Sequence, residues 1–426
     1  MAQVVDRTQD LVNNQDFYKT IINEYTSEDK SKWHIGRLTK SAVTHSKTGS
    51  SEVVRVANFT YNAQGVLHKE VANVGTSVEL TKIYAYDNHG NKISETVSGA
   101  GVTTATTHYT YSVDGKFKTG ISNAQGLSES YTYDARFGVP LTHTGPNGLT
   151  TTWKYDAMRR KIEEQRTDGT WQKWTHVWNT PTINSRKLFD VIQSASDKAD
   201  RVTSYDSLGR VTESSTTTLG GKKLYLTRKF YNEKAQLVRE ELPSIVGESA
   251  GVVKTTYDRF GRTISVSKPG PSNTVQTYTT QINNFTTILT DPKGNKKQTV
   301  KNAMGQVISI TDAYGSSVAS SIHYTYDAIG NLLKTTDSAG NVITMAYNAA
   351  GKKVYMNDPD LGVWNYGYNA LGKMTSQSNQ QGQHTTISYD ILGRMTYKRV
   401  DENTSFNETS YLYAGANASA GSRGKH

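Results

Sequence analysis

Cysteine is absent from this sequence and proline is scarce, with 8 residues among 426. The first absence excludes a disulfide scaffold and thiolate metal sites. Aliphatic side chains are also few. Leu, Ile, Val and Phe together number 82, about 19% of the chain, which borders on the composition of disordered proteins. That excludes a conventional thick two-layer core over most of the length. No run approaches the ~18 apolar residues of a membrane-spanning helix. The opening stretch, MAQVVDRTQDLVNNQD, shows neither the basic nor the apolar region of a signal peptide. Charge of one sign does not dominate. The net +10 comes from 48 basic and 38 acidic residues spread along the chain, an excess that argues against a dedicated nucleic-acid groove.

What is present is aromatic and periodic. There are 26 tyrosines, and aromatic residues make up 10%, far more than a disordered chain carries. A self-comparison finds one recurring pattern: Tyr, Asp or Asn, two variable residues, Gly, then a basic or amide residue. It begins at Tyr61 and at Tyr86-Asp87 with Gly90, and runs through Tyr111. It returns at Tyr205-Asp206 with Gly209 and at Tyr257-Asp258 with Gly261. The last copies are Tyr326-Asp327 with Gly330, Tyr347 with Gly351, Tyr368 with Gly372, and Tyr389-Asp390 with Gly393. Worn copies stand at Tyr133, at Tyr155 (Arg159 in place of Gly) and at Tyr231 (Ala235 in place of Gly).

A second turn signal falls between the C-terminal copies, so Gly recurs at 330, 340, 351, 362, 372, 382 and 393. Asp or Asn at the first turn position bonds the backbone ahead of it, and Gly takes the positive φ that other residues resist. The runs between turns alternate with period two, as in Ile322, Tyr324 and Tyr326. Turn signals every 8–12 residues mark all-β architecture. The expected fold is a long antiparallel meander of short hairpins, held by neighbour pairing and cross-strand Tyr and Thr contacts. Such a sheet twists and coils, which points to a spiral, shell-like sheet.

These repeats resemble the YD-repeat (Rhs) family. Asn357 to Gly372, NDPDLGVWNYGYNALG, is most similar to the repeat region of the B component of bacterial insecticidal toxin complexes. Trp33 to Thr39, WHIGRLT, resembles the start of that region. The resemblance implies a β-sheet cocoon that sequesters a toxic polypeptide, with tyrosines stacking along the strip. It also implies a secreted or cell-surface protein, exported here by a route without a visible signal peptide. The family's autoproteolytic end resembles two Asp-Pro turns in succession. Here Asp358 to Gly362 supplies the first, but Tyr368-Asn369 stands where the second belongs, so the segment reads as a repeat turn. With no toxin domain after Tyr413 and no β-propeller before the repeats, the chain is expected to be a shell segment.

The boundaries read as a polar lead-in over 1–32, the repeat array over 33–400 with an irregular insert at 181–202, and a tail over 401–426. No catalytic constellation emerges. The ten His residues show no metal-ligand spacing, and there is no nucleophile elbow, phosphate loop or dinucleotide fingerprint. No enzyme activity, metal or cofactor is expected. One feature stands apart from the repeat: Trp171, Trp174 and Trp178 hold half of the six tryptophans, with His176 between the last two. Packing is the first reading of these rings; contact with cargo or with a glycan is the alternative. The expected partners are a toxin cargo polypeptide or a complementary shell chain resembling the C component. A surface-adhesion or carbohydrate-binding module is the competing function, with no specific nucleic acid and no membrane span in either case.

Overall fold

The computed structural model describes residues 2–10, 14–179, 187–402 and 405–413. These fold into 35 strands and two single 3-10 turns, with no α-helix among the described residues. The registered pairs join strands that are neighbours in sequence or nearly so, and all run antiparallel. The all-β hairpin meander expected from the turns is thus what the chain forms.

The chain divides into two compact units. One comprises residues 1–130, 299–311 and 320–426, and the other 131–298 and 312–319. Among the described residues of the first unit, six apolar side chains are buried: Phe17, Val78, Tyr84, Leu127, Ala370 and Ile387. In the second unit the buried side chains are polar: Ser204, Asp206, Thr212, Glu213, Ser214, Ser215, Glu241 and Ser244. There Glu213 is held between the Lys187 and Lys223 ammonium groups, each at 2.9 Å, and Glu241 between Arg228 and Arg239. Burial pushes the Glu213 carboxyl up, but the two lysines more than offset it and its pKa lies below the usual value.

Buried apolar side chains are thus few among the described residues. The strands therefore find order elsewhere than in a core. Cross-strand hydroxyl pairs contribute, as at Thr96–Thr106 (2.9 Å), Thr144–Thr150 (2.8 Å) and Thr311–Ser321 (2.8 Å). Many strands carry exposed and half-buried residues in alternation, most regularly Val275–Asn283, the signature of a sheet with two chemically different faces.

The polar first residues form two strands, Ala2–Asp10 and Gln15–Tyr25, paired with each other, and the second pairs with Leu38–Lys47. Of the stretch read as an irregular insert, residues 181–186 lie outside the described residues. The remainder differs from that reading: Phe189–Ala195 and Lys198–Tyr205 form a hairpin. Its turn, Ser196-Asp197, has no glycine, so it lacks the signal that marks most of the other hairpins. In the tail, Ser405–Ser410 pairs with Met395–Glu402, and residues 414–426 lie outside the described residues.

Candidate functional site: the repeat turn and its rim

The recurring motif builds one small machine many times. At Asp206 the backbone amide donates to the Arg210 carbonyl at 3.0 Å, and the Gly209 amide donates to the Asp206 carbonyl at 3.0 Å. One carboxylate oxygen, Oδ1, accepts from the Leu208 and Arg210 amides, both at 2.9 Å. The other, Oδ2, accepts from Arg210 Nε at 2.7 Å. Gly209 sits at φ 73°, where a Cβ is unfavourable. Tyr205 then pairs with Val211 across a register shift, so each turn closes with a bulge. The turns at Asp258 and Asp390 repeat these bonds with Arg262 and Arg394. In the worn copies Arg159 and Ala235 are forced to φ 62° and 61°.

The residue after the glycine follows a rule of donors and acceptors. Asp pairs with a donor: Arg160, Arg210, Arg262 and Arg394, or Asn91, Asn295, Asn331 and Asn341. Where the first residue is Asn and the last is Gln, the Asn amide nitrogen donates to the Gln oxygen, at Asn232–Gln236, Asn302–Gln306 and Asn379–Gln383; Asn62, Asn123, Asn348 and Asn369 instead face Val66, Leu127, Lys352 and Lys373 and accept their backbone amides through Oδ1. The aspartates titrate accordingly. Burial pushes Asp206 up, but Arg210 and the turn amides outweigh it and hold its pKa below the ordinary range. Asp258 and Asp390 behave alike.

Several turns are tied to the preceding repeat through their tyrosine. The hydroxyls of Tyr61, Tyr86, Tyr257, Tyr326 and Tyr389 donate to the carbonyls of Leu38, Leu67, Leu237, Val307 and Met374, at 2.7–3.0 Å. Tyr347 differs, with its hydroxyl 3.8 Å from Met345 Sδ. Burial raises the pKa of Tyr86, Tyr326, Tyr347, Tyr368 and Tyr389. Cations lie over several rings: Arg210 over Tyr231 at 4.4 Å, Arg394 over Tyr413 at 4.3 Å, and Lys373 over Tyr389 at 5.4 Å. One arginine thus salt-bridges its own turn and caps the following tyrosine.

A second feature, missed in the sequence, lies within the first unit. All the Tyr-Asp turns sit at one end of their strands, and the intervening turns at the other. The C-terminal Tyr-Asp rim docks on the opposite rim of the N-terminal strands. Ala303 N donates to Asp10 Oδ2 at 2.9 Å, Lys47 Nζ to the Tyr326 carbonyl at 3.2 Å, and Arg55 Nε to the Ala349 carbonyl at 2.8 Å. Ala370 N donates to the Ala100 carbonyl at 2.9 Å. Gln125 binds Asp390 and Arg394, its Oε1 accepting from Arg394 Nη2 at 2.9 Å. A Cβ on Gly99 would lie 2.5 Å from Ala370 Cβ, so the rims touch closely.

The three tryptophans are not one cluster. Strand Trp171–Trp178 places Trp174, His176 and Trp178 on one face and Trp171 on the other by simple alternation. Lys161 lies 4.5 Å from the Trp174 ring and Lys173 5.0 Å from Trp171. Trp178, 63% exposed, leans on Phe189 at 5.4 Å, which stacks on Tyr205 at 4.8 Å. Burial lowers the pKa of His176. Among the described residues no group of acidic and His side chains is arranged to hold a metal ion, and no helix is long and apolar enough to cross a membrane.

The turn chemistry places the chain among tyrosine-repeat β-sheets, and comparison agrees. Residues 326–360, where the turn spacing is most regular, match the RHS repeat family model. A search of curated protein sequences finds no match. Among solved structures the chain is similar to TcdB2-TccC3-Cdc42, with a TM-score of 0.77, 11% identity, and coverage of 95% of this chain and 30% of that one. It is similar to TcdB2-TccC3 at a TM-score of 0.73 and 12% identity, covering 95% and 28%. It is also similar to a Photorhabdus luminescens Tc holotoxin pore carrying a TccC3 mutation, at 0.71 and 11%, covering 95% and 30%. The resemblance read from the sequence is borne out, and the fold is that of these toxin-complex chains. The chain spans about 30% of their length.

Proposed function

We propose that this chain is a stretch of wall in a hollow β-shell that encloses a toxin polypeptide and shields it until delivery. The observation that carries this is the pairing of a toxin-complex fold over 95% of the chain with a sheet that, among the described residues, buries six apolar side chains. A sheet ordered by its own ladders and turns has no need of a filled interior. The wall acts by confinement and carries out no chemistry. Its partners are the enclosed polypeptide and complementary shell chains, and its place is a secreted toxin assembly.

Electron-microscopy class averages of the purified chain test this directly, with small-angle scattering alongside. A curved wall around an open space is expected, with a radius of gyration well above the ~22 Å of a compact chain of this length. A solid particle near that radius overturns the proposal. A surface-adhesion reading rests on Trp178, since lysines hold faces of the Trp171 and Trp174 rings. Glycan binding that Trp178→Ala abolishes without unfolding would favour it.

A further inference from the structure

The same turn occurs in two states. In the first unit, the turns at 302–305 (where Lys301 stands in place of Tyr), 327–330, 348–351, 369–372 and 390–393 dock on the opposite rim, and Asn302, Asn369 and Ala370 are buried there, while Met304 and Leu371 keep 50% and 45% exposure. The residue after the Asp or Asn has an amide that its own turn does not use. Docking uses it at Ala303 and Ala370. In the second unit the equivalent amides of Ala157, Ser207, Glu233 and Arg259 have no acceptor among the described residues. The apolar residues beside them stand in solvent: Met158 at 71%, Leu208 at 70% and Phe260 at 67% exposed. Arg160, Arg210 and Arg262 pair with their own turn aspartates, and Arg159, Lys234 and Arg259 outnumber Glu233, which leaves this rim net positive. Between two of its turns lies an open groove of about 810 Å³, lined by Tyr231, Asn232, Lys234, Tyr257 and Asp258.

The chain also carries an uncovered example of the opposite rim. The turns at 337–341 and 358–362 present Asp337, Asp358 and Asp360, with Leu361 at 59% exposure. This rim is acidic where the open Tyr-Asp rim is basic, and each has apolar tips to bury against the other.

We infer that the Tyr-Asp rim at 156–160, 206–210, 232–236 and 258–262 is a docking surface for a second copy of this chain, which seats its acidic rim at 337–362 there. The contact repeats the rim-on-rim docking already present within the first unit. It is head-to-tail: each copy offers one rim of each kind, so the association closes into a ring or extends as a filament. The inference deepens the wall reading and rests on it, since it names how one piece of wall meets the next.

Sedimentation velocity over a concentration series tests it. The weight-average mass of the wild-type chain should rise above 47.0 kDa with concentration and fall back as salt is added. The triple variant Met158→Asp, Leu208→Asp, Phe260→Asp should stay monomeric, as should Asp360→Lys with Leu361→Lys. These side chains are exposed turn tips, and unchanged circular dichroism confirms that each variant folds. Mixed together, the two variants retain one working pair of rims and should form a dimer that grows no further. A wild-type chain that stays monomeric throughout, self-association that survives in both variants, or a mixture without dimer overturns the inference. A monomer that still shows a hollow profile by microscopy removes the second copy alone and leaves the wall reading standing.

Discussion

The donor–acceptor rule at the repeat turn makes a quantitative prediction. In Asp206→Asn, Oδ1 can keep the Leu208 and Arg210 amides, both now at 2.9 Å. The amide nitrogen, however, faces Arg210, a donor against a donor. Two charge-assisted contacts, from Nε at 2.7 Å and Nη2 at 2.6 Å, are lost. Each is worth roughly 1.5–3 kcal/mol when fully buried. The Arg210 side chain keeps 28% exposure and can turn to water, so the expected cost is about 2 kcal/mol. Arg210→Gln keeps a donor to Asp206 but loses the contact over Tyr231, about 1 kcal/mol. Independent effects would add to about 3 kcal/mol in the double variant. The double variant instead recreates the Asn–Gln pair of Asn232–Gln236. Its expected cost is about 1.5 kcal/mol, a coupling of about 1.5 kcal/mol and thus roughly tenfold in the opening equilibrium. Hydrogen exchange at the Leu208 and Arg210 amides is the right assay, because repeat sheets open locally. Protection in the double variant that matches the sum of the singles, within ~0.5 kcal/mol, refutes the rule.

Ala235→Gly should stabilise by about 1 kcal/mol, since Ala235 occupies φ 61° and only glycine does so without strain; a lower melting temperature contradicts this. Gly99→Val should destabilise by about 2 kcal/mol through overpacking against Ala370, and Ala370→Gly in the same chain should restore part of the loss in a denaturant titration. Tyr326→Phe removes the bond to the Val307 carbonyl and should cost about 1 kcal/mol, whereas Tyr347→Phe should leave the melting temperature nearly unchanged. Stability should be bounded on both sides by pH. The turn aspartates have depressed pKa values, Asp206 and Asp390 among them and Asp114 at about 2, so their contribution is full above the unfolded value of about 4 and fades as pH falls below it. The buried tyrosines have raised values, so stability should fall as pH climbs past about 10; urea titrations across the range check both limbs.

The hairpins were legible because an Asx turn closed by glycine is local chemistry: Asp327, Gly330 and Asn331 bond one another within five residues. The hairpin around Ser196-Asp197 was not, since nothing in it requires glycine. The split of the tryptophans was in the sequence all along, as 171 is odd and 174 and 178 even on a strand. The Asp–Arg and Asn–Gln pairing was equally visible in the repeats once their members are aligned. The rim was hidden for a physical reason. Asp10, Lys47, Arg55 and Gln125 find their partners 265 to 294 residues away, and no local pattern announces such a contact.

Why the turns repeat while the strands drift follows from where contact is made. A strand in this sheet meets its sequence neighbours through backbone bonds that any residue but proline supplies. Its faces bury little, so its side chains are loosely constrained, and Thr, Lys, Ile or Tyr serve in turn. A turn must bend the chain, satisfy its own amides and, where a second rim arrives, pack against it. Asn302 and Asn369 do all of this and are 1% and 4% exposed. Cooperativity between distant parts of the first unit can enter only through such rims, because every other ladder is local. Loosening one docked turn, as Gly99→Val would, should therefore raise hydrogen exchange in both strips it joins, and loosening one open turn, such as that at Leu208, only in its own hairpin. Equal spreading from both kinds of turn would show that the sheet transmits strain along its ladders and that the rims are incidental.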